Sequence, residues 1–347
     1  MAPAPKGLKE RLSDGEFVLC AEGYLFEFER RGYLKAGPYV PEVVLENPEL
    51  VRQMHREFVH AGSDVVLAFT YYAHREKLRL IGREHDLEPL NRKALEIAKS
   101  VADETGTLMA GGISNTGIYD PDDPKTHDTI RSMYKECVQW AVEGGAQYMV
   151  AETCSSYGEA KLALEAILAY GNGLPAVVTV APHSFTTTAD GIPLADALKK
   201  LEDGGATVVG FNCSCGPRLM TAHLRQARKI CKGPLGCLPV PYRTGKGEAH
   251  FHVITDKETG NRAFPDDLDA VMCAASEFQT FGEACREIGV QYAGICCGNS
   301  AKYFRRLAEA LGRTPPASRY SSDMKKHFIW GEDPSFKQFY TNLTSTV

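Results

Sequence analysis

The chain has 347 residues, of which 44% are hydrophobic and 24% charged, so it can bury a full core as one large α/β domain or as two ordinary ones. Its formal net charge is −5 and its lysines and arginines are scattered, which argues against a nucleic-acid partner. The amino terminus lacks a signal-peptide pattern and no run of about eighteen apolar residues occurs, so we expect a cytoplasmic protein with no membrane partner.

Short apolar runs rich in β-branched residues recur along the chain and predict parallel strands. They begin at Glu16, Asp64, Thr107, Gln147, Pro175, Ala206 and Val290. The runs are nearly continuous rather than alternating, as expected of strands covered on both faces, and most precede a segment with helical periodicity. In the first such segment, Asn47 can cap the helix and Pro48 can open it. Its apolar stripe consists of Leu50, Val51, Met54 and Phe58.

The spacing of these runs predicts a closed barrel. Successive strands lie roughly 25 to 45 residues apart, and the gap between Gly233 and Phe281 has room for an eighth strand. We therefore predict a (β/α)8 TIM barrel over residues 1–312, with a tail over residues 313–347 that contacts a neighbouring subunit. A doubly wound open sheet is the alternative, which is disfavoured because no glycine-rich fingerprint follows the first strand.

Polar residues stand where three of the predicted strands end. Glu152 ends the fourth run, Cys213 the sixth, and Cys296 with Cys297 the last. In a TIM barrel such positions share one mouth, and three cysteine ligands with an open fourth position are typical of catalytic zinc. Gly298 would let the backbone turn so that adjacent cysteines reach one ion.

Other interpretations of these residues stay open. Buried packing or a redox relay would explain clustered cysteines, and Glu152 could serve only to accept backbone hydrogen bonds. Cys215 is an alternative or fourth ligand, less favoured because Gly216 and Pro217 should lead it away. Three histidines, His183, His250 and His252, are also candidate ligands, but exposed histidines and histidines satisfied within a core are commoner than ligands. Six further cysteines are expected to be small buried side chains: Cys20, Cys137, Cys231, Cys237, Cys273 and Cys285.

Aromatic residues form a second group near the ends of the first two strands. They are Tyr24, Tyr39, Phe69, Tyr71 and Tyr72. Packing alone would account for them. If several face the mouth, they make a wall suited to an onium cation, worth on the order of 2 kcal/mol per desolvated ring.

Four stretches together resemble the homocysteine S-methyltransferase family, and within it the betaine-homocysteine S-methyltransferase branch. They are GYLKAGPYVPEVVLENPELVRQMHREFVHAGSDVVLAFTYYA, MVAET, VVGFNC and GICCGNSAKYFRRLAEALG. The likeness runs from about Leu8 to near Asn342. It implies a zinc-bearing (β/α)8 barrel in which homocysteine accepts the methyl group and no folate or corrinoid is carried.

The resemblance also implies roles for individual residues. The zinc ligands of the family fall on Cys213, Cys296 and Cys297. The glutamate that holds the homocysteine amine falls on Glu152, and the aromatic pair near the reacting sulfur falls on Tyr71 and Tyr72. We therefore expect Glu152 and Tyr72 to be catalytic residues.

The sequence departs from the family in both substrate pockets. The family's Asp-Gly-Gly after the first strand is replaced by Ala21, Glu22 and Gly23, so Glu22 is a candidate for the lost aspartate. Tyr39 and Thr153 stand where the betaine enzymes have a tryptophan and a tyrosine that bind the donor carboxylate. We expect Glu22, Gly23, Tyr39 and Thr153 to bind substrates. The chain also stops soon after KQFYTNL, whereas the betaine enzymes continue, and we expect a homodimer.

The sequence thus predicts a zinc-dependent S-methyltransferase that gives methionine. Its methyl donor would be glycine betaine or a sulfonium such as dimethylsulfoniopropionate or S-methylmethionine. The alternatives are a zinc-dependent lyase or hydrolase acting on an onium substrate, with Glu152, Glu22 or His183 as base, and a zinc or thiol sensor without catalysis.

Overall fold

Eight parallel strands form a closed barrel whose neighbours follow chain order from β1 to β8. The computed structural model describes residues 6–245, 247–327 and 331–332. The strands are β1 (Val18–Ala21), β2 (Val65–Leu67), β3 (Leu108–Ser114), β4 (Tyr148–Cys154), β5 (Ala176–Val180), β6 (Val208–Asn212), β7 (Leu235–Leu238) and β8 (Val290–Ile295). The predicted (β/α)8 barrel is therefore confirmed.

Helices surround the barrel and join successive strands. They are α1 (Leu8–Ser13), α2 (Tyr24–Arg30), α3 (Val43–Glu46), α4 (Pro48–His60), α5 (Arg75–Arg79), α6 (Leu87–Thr105), α7 (Pro124–Glu143), α8 (Tyr157–Tyr170), α9 (Leu194–Asp203), α10 (Pro217–Ile230), α11 (Ala275–Ile288) and α12 (Ala301–Ala310). Short 3-10 helices span Glu84–Asp86, Phe251–Val253, Leu268–Val271, Pro316–Tyr320 and Met324–Lys326. Within the described residues, no helix combines the length and the apolar character that crossing a membrane would require.

The first predicted helix is confirmed in its start and in its buried face. α4 begins at Pro48, and Val51, Met54 and Phe58 are buried while Leu50 is half-buried. Asn47 occupies the capping position, but its side chain makes no capping hydrogen bond. The helix is therefore held by its apolar face rather than by its cap.

β7 is the strand that fills the gap left open by the spacing, and it links the segments that carry Cys213 and Cys296. β7 lies between β6 and β8, and the hydrogen-bond ladder continues on both sides at its carboxyl end. The backbone N–H of Cys213 donates to the Leu238 carbonyl, and that of Cys296 donates to the Pro239 carbonyl, each over 2.9 Å. Segments 83 residues apart in sequence (296 − 213) therefore meet at one point.

The chain after α12 folds back onto the barrel. Arg313 donates hydrogen bonds to the Phe17 carbonyl (2.7 Å) and to Asp64 (3.2 Å) near the start of the first two strands. The predicted tail spans residues 313–347, of which 328–330 and 333–347 lie outside the described residues, and its contact with a neighbouring subunit stays a prediction.

Candidate metal centre and substrate cavities

Cys213, Cys296 and Cys297 form a thiol cluster at the carboxyl end of the barrel. Their sulfur atoms all lie within 4.8 Å of one another. The Cys213 Sγ lies 3.7 Å from the Cys297 Sγ, which in turn lies 3.9 Å from the Cys296 Sγ. Hydrogen bonds from the other two thiols hold the pKa of Cys213 well below its usual value despite burial. One of the three sulfurs is therefore readily deprotonated, as a metal ligand must be.

Two glycines make the close packing of the thiol cluster possible. Gly23 has a φ of +78°, and a Cβ there would lie 2.3 Å from the Cys296 carbonyl carbon and 2.4 Å from the Cys297 nitrogen. Gly298 has a φ of +89°, and a Cβ there would lie 2.4 Å from the Tyr242 hydroxyl. The expected turn at Gly298 is thus present, and Gly23 has a packing role that its assignment to substrate binding had not included.

Residues with a left-handed backbone conformation are concentrated around the thiol cluster. Six non-glycine residues of the described chain have a positive φ: Tyr39, Tyr72, Thr153, Asn172, Cys213 and Ser214. All but Asn172 line the cavity beside the thiol cluster or adjoin it. Such conformations cost on the order of 1–3 kcal/mol each and tend to collect at functional sites.

A carboxylate cavity lies on one side of the thiol cluster. Glu22 and Glu152 face it, together with Gly23, Tyr24, Leu25, Leu67, Ala68, Phe69, Tyr71, Cys296 and Cys297. Both glutamates are buried, and a carboxylate oxygen of each lies within 4.8 Å of the other and of the Cys296 Sγ. Two acidic groups thus converge beside the cysteines, although Glu152 lies within β4 rather than at its end.

Burial raises the pKa of the Glu22 carboxyl to about 8. Burial and the adjacent charge of Glu22 raise the pKa of Glu152 well above its ordinary value. The Glu22 Oε1 atom is buried without a hydrogen-bond partner in the described structure. Because buried carboxylates require a compensating positive charge, this cavity is suited to a ligand that carries an ammonium group.

Asn212 holds the two glutamates in place, a role that the sequence analysis missed. Its Nδ2 donates to Glu22 (3.2 Å), to Glu152 (3.4 Å) and to the Thr153 hydroxyl (2.8 Å). Its Oδ1 accepts from the Thr153 N–H and from the Thr179 hydroxyl. The available signal was its position directly before Cys213, at the end of β6.

An aromatic cavity lies on the other side of the thiol cluster. It is lined by Leu25, Phe26, Tyr39, Tyr71, Tyr72, Asn115, Thr153, Ser155, His183, Cys213, Phe251, His252, Phe264 and Cys297. The two cavities share Leu25, Tyr71 and Cys297. The cysteines therefore stand where the two spaces meet.

The predicted aromatic residues divide between the two cavities. Tyr39, Tyr71 and Tyr72 line the aromatic cavity, whereas Tyr24 and Phe69 line only the carboxylate cavity. Lys77 places its ammonium 3.9 Å from the centre of the Tyr72 ring, so one ring of this wall already holds a cation. Phe26, Phe251 and Phe264 complete the wall and were not expected from the sequence.

The other cysteines are not members of the thiol cluster. Cys215 is buried next to the cluster, and the possible metal groups found in the described structure do not include it. Cys20, Cys231, Cys237, Cys273 and Cys285 are buried as expected, but Cys137 is only half-buried. Cys137 lies on α7, and that helix exposes its outer face to solvent.

Comparison with known proteins identifies the family. Residues 23–311 match the family profile described as "Homocysteine S-methyltransferase". Betaine-homocysteine S-methyltransferase 1 of Mus musculus is 33% identical over 344 residues, covering 94% of this chain and 80% of that protein. S-methylmethionine-homocysteine S-methyltransferase BHMT2 of Rattus norvegicus is 30% identical over 347 residues, covering 95% and 89%.

A solved structure supports the same fold. The metallated form of the homocysteine methyltransferase MmuM from Escherichia coli superposes with a TM-score of 0.68 at 20% identity, covering 86% of this chain and 97% of that one. The resemblance seen in the sequence is confirmed by the profile and by the relatives. The chain belongs to the homocysteine S-methyltransferase family.

Proposed function

We propose that the protein is a zinc-dependent S-methyltransferase that moves a methyl group from a small onium donor to homocysteine, giving methionine. The observation that carries this proposal is the junction of two cavities at the thiol cluster. One cavity is acidic and suits an amino acid with a free ammonium group, and the other is aromatic and suits an onium cation. Membership of the homocysteine S-methyltransferase family supports the same acceptor.

The three cysteines fit a zinc ion. Tetrahedral zinc with bonds of about 2.3 Å to sulfur separates its thiolates by about 3.8 Å. The sulfur–sulfur distances of 3.7 and 3.9 Å agree with that value. Cys213, Cys296 and Cys297 would hold the ion and leave its fourth position to the acceptor. Bound zinc supplies a Lewis acid that keeps the acceptor sulfur as a thiolate near neutral pH.

Glu22 and Glu152 would hold the ammonium group of the acceptor. Their buried oxygens converge on one space, and the unpartnered Glu22 Oε1 is free to accept a hydrogen bond there. Glu22 would thereby take over the task of the family's aspartate, which is absent at Ala21. Gly23 lines the same cavity, and its lack of a side chain lets the backbone of Cys296 and Cys297 lie against it.

Tyr39, Tyr71, Tyr72 and Thr153 would hold the donor beside the thiol cluster. In the transfer, a lone pair of the acceptor thiolate forms the new sulfur–carbon bond while the bond from the methyl carbon to the donor nitrogen or sulfur breaks. The electron pair of that bond stays on the donor, which leaves as a neutral amine or thioether, and no proton moves. Because the charges of thiolate and onium cancel during the step, a site that excludes water favours it.

The relatives support two kinds of donor. One is named for betaine and the other for S-methylmethionine. Tyr39 and Thr153 differ from the residues expected in a betaine pocket, so a sulfonium donor such as dimethylsulfoniopropionate or S-methylmethionine is as strong a candidate as glycine betaine.

The test is a panel of these three donors with homocysteine and zinc-loaded protein, with methionine as the readout. Cys213→Ala should lose its zinc. Its activity should fall by more than about 100-fold, because loss of a mere hydrogen-bond partner of a metal ligand already costs up to that factor. Cys215→Ala, a buried cysteine two positions away, should keep both. A donor fragment formed without methionine would instead support a lyase or hydrolase, and full activity of Cys213→Ala without metal would refute the proposal.

A further inference from the structure

Three histidines from two loops converge at the mouth of the aromatic cavity. His183 lies in the loop after β5, and His250 and His252 lie in the loop after β7. The His183 ring centre lies 5.6 Å from that of His250 and 6.4 Å from that of His252. His183 and His252 line the cavity, whereas His250 stands beside them and does not.

Both loops are fastened to the residue that follows the ligand Cys213. The Ser214 hydroxyl lies 3.1 Å from Nδ1 of His183. The Ser214 carbonyl accepts a 2.8 Å hydrogen bond from the backbone N–H of Phe251, next to His252. The two loops are therefore tied to the segment that carries Cys213, with His183 itself exposed and His252 half-buried.

His252 is oriented by apolar contacts that leave its nitrogens unused. Its ring centre lies 3.9 Å from that of Phe251 and 4.7 Å from that of Phe264. Across the described part of the chain, its ring makes no hydrogen bond, and Ser214 is the one hydrogen-bond partner of the His183 ring. Imidazole N–H groups are thus available to a ligand in the cavity.

The cavity has chemically different sides. Tyr39, Tyr71 and Tyr72 come from the segments after β1 and β2, while the histidines come from those after β5 and β7. In a closed barrel that runs in order from β1 to β8, the segment after β5 lies opposite that after β1, and the segment after β7 lies two strands from β1 and three from β2. The described lining includes no lysine or arginine, so its side-chain N–H donors are the two imidazoles and the Asn115 amide.

Building on the proposed function, we infer that the methyl donor is a zwitterion whose carboxylate accepts hydrogen bonds from His183 and His252. The onium end would lie against the tyrosines, with its methyl group directed to the thiol cluster. Since an onium carries no N–H, aromatic rings bind it without orienting it, and the histidine contacts would orient the molecule. These imidazoles would then supply the recognition that Tyr39 and Thr153 no longer provide.

The test compares two sulfonium ions that differ by the carboxylate: dimethylsulfoniopropionate and trimethylsulfonium. For His252→Phe, which keeps a ring against Phe251 and Phe264, we expect the KM and the calorimetric Kd for dimethylsulfoniopropionate to rise about 10- to 100-fold, the range for losing a hydrogen bond to a charged group. The values for trimethylsulfonium and the KM for homocysteine should not change. His252→Asn, which restores an N–H, should recover part of the loss, and His183→Ala should behave like His252→Phe. His250→Ala is the control and should bind both ions as the unaltered protein does.

The outcomes separate this inference from the proposed function. Equal losses for both sulfonium ions would assign the histidines to the chemical step or to folding, and would overturn the inference. Unchanged selectivity in both His183→Ala and His252→Phe would also overturn it, as would failure of the unaltered protein to bind dimethylsulfoniopropionate more tightly than trimethylsulfonium. If the selectivity shift is seen in binding while no donor yields methionine, the proposed function fails and the carboxylate site stands.

Discussion

The carboxylate cavity and the aromatic cavity meet at the same cysteines, yet they are suited to positive charge in different ways. The first presents two buried glutamates joined by Asn212, and the second presents tyrosine rings and no carboxylate. An ammonium group has N–H bonds to donate, so carboxylate oxygens suit it, whereas a methylated onium has none and is held by the faces of rings. Under the proposed function, each cavity would select one substrate by whether its cation carries N–H bonds.

Displacing the cysteines that lie between the two cavities should have the largest effect on zinc content and on activity. In Gly23→Ala the new Cβ would meet the backbone of Cys296 and Cys297 at 2.3–2.4 Å, so those cysteines must move. We expect zinc content to drop and transfer to fall by more than about 100-fold, beyond the cost of losing an outer contact to a ligand. Metal analysis and a methionine assay measure both quantities.

The matched control is Gly15→Ala. Gly15 has a similar φ of +76° but no atom within 4 Å of the added Cβ. It should lose about 1 kcal/mol of stability from backbone strain alone and keep its zinc. A Gly23→Ala protein with full zinc content and normal activity would show that the packing is not required.

Removing charge from the carboxylate cavity should affect the acceptor alone. We expect Glu152→Gln to raise the KM for homocysteine about 10- to 100-fold, since a hydrogen bond to a charged group contributes 1.5–3 kcal/mol. The KM for the onium donor should stay the same. Steady-state kinetics with each substrate varied in turn measure the split.

Glu159→Gln controls for burial, because Glu159 is also buried but bonds to Thr116 and lies outside both cavities. It should leave both KM values unchanged. An altered donor KM with a normal acceptor KM in Glu152→Gln would reverse the assignment of the two cavities.

Removing a ring from the aromatic cavity should have the opposite selectivity. Tyr39 stacks on Phe26 with ring centres 5.4 Å apart, and its hydroxyl is buried without a hydrogen-bond partner in the described structure. We expect Tyr39→Leu to reduce kcat/KM for the donor about 30-fold, the equivalent of one desolvated cation–π contact of about 2 kcal/mol. Tyr39→Phe keeps the ring and should stay near the original value. Equal losses in the two variants would mean that the hydroxyl, not the ring, binds the donor.

The smallest expected effect is on the stability of the folded protein. With no ligand in the carboxylate cavity, ionisation of Glu22 destabilises the folded state as the pH rises. Burial raises the pKa of Glu22 from 4.5 to about 8, so the unfolded chain releases this proton at a lower pH than the folded chain. Stability should therefore fall as the pH increases from about 4.5 to 8. Without homocysteine, Glu22→Gln should weaken this decline and raise the Tm at pH 8 by about 2 °C or more.

Thermal unfolding at pH 5 and pH 8 measures this difference. Glu96→Gln, on the exposed face of α6, should follow the unaltered protein at both values. A decline with pH that persists fully in Glu22→Gln would place its origin outside the carboxylate cavity.

Much of the architecture could be predicted from local pattern. Seven apolar runs identified seven strands, and the spacing left room for the eighth, because parallel strands covered on both faces must be continuously apolar. The cysteines stood at strand ends, where barrel topology directs residues into one mouth. Asn212 and the histidines could not be assigned roles, because their partners come from strands and loops distant in sequence.

By itself, the sequence determined the barrel, the family and the set of three thiols, since these follow from periodic burial and from motifs that are contiguous in the chain. Only the tertiary structure decided how the thiols meet. The N–H groups of Cys213 and Cys296 donate to the carbonyls of Leu238, which ends β7, and of Pro239, which follows it. The tertiary structure also decided that Glu22 reaches Glu152 and that His183 reaches His252. Such contacts depend on which strands and loops are neighbours in the closed barrel, and local sequence does not encode the distance between side chains on separate elements.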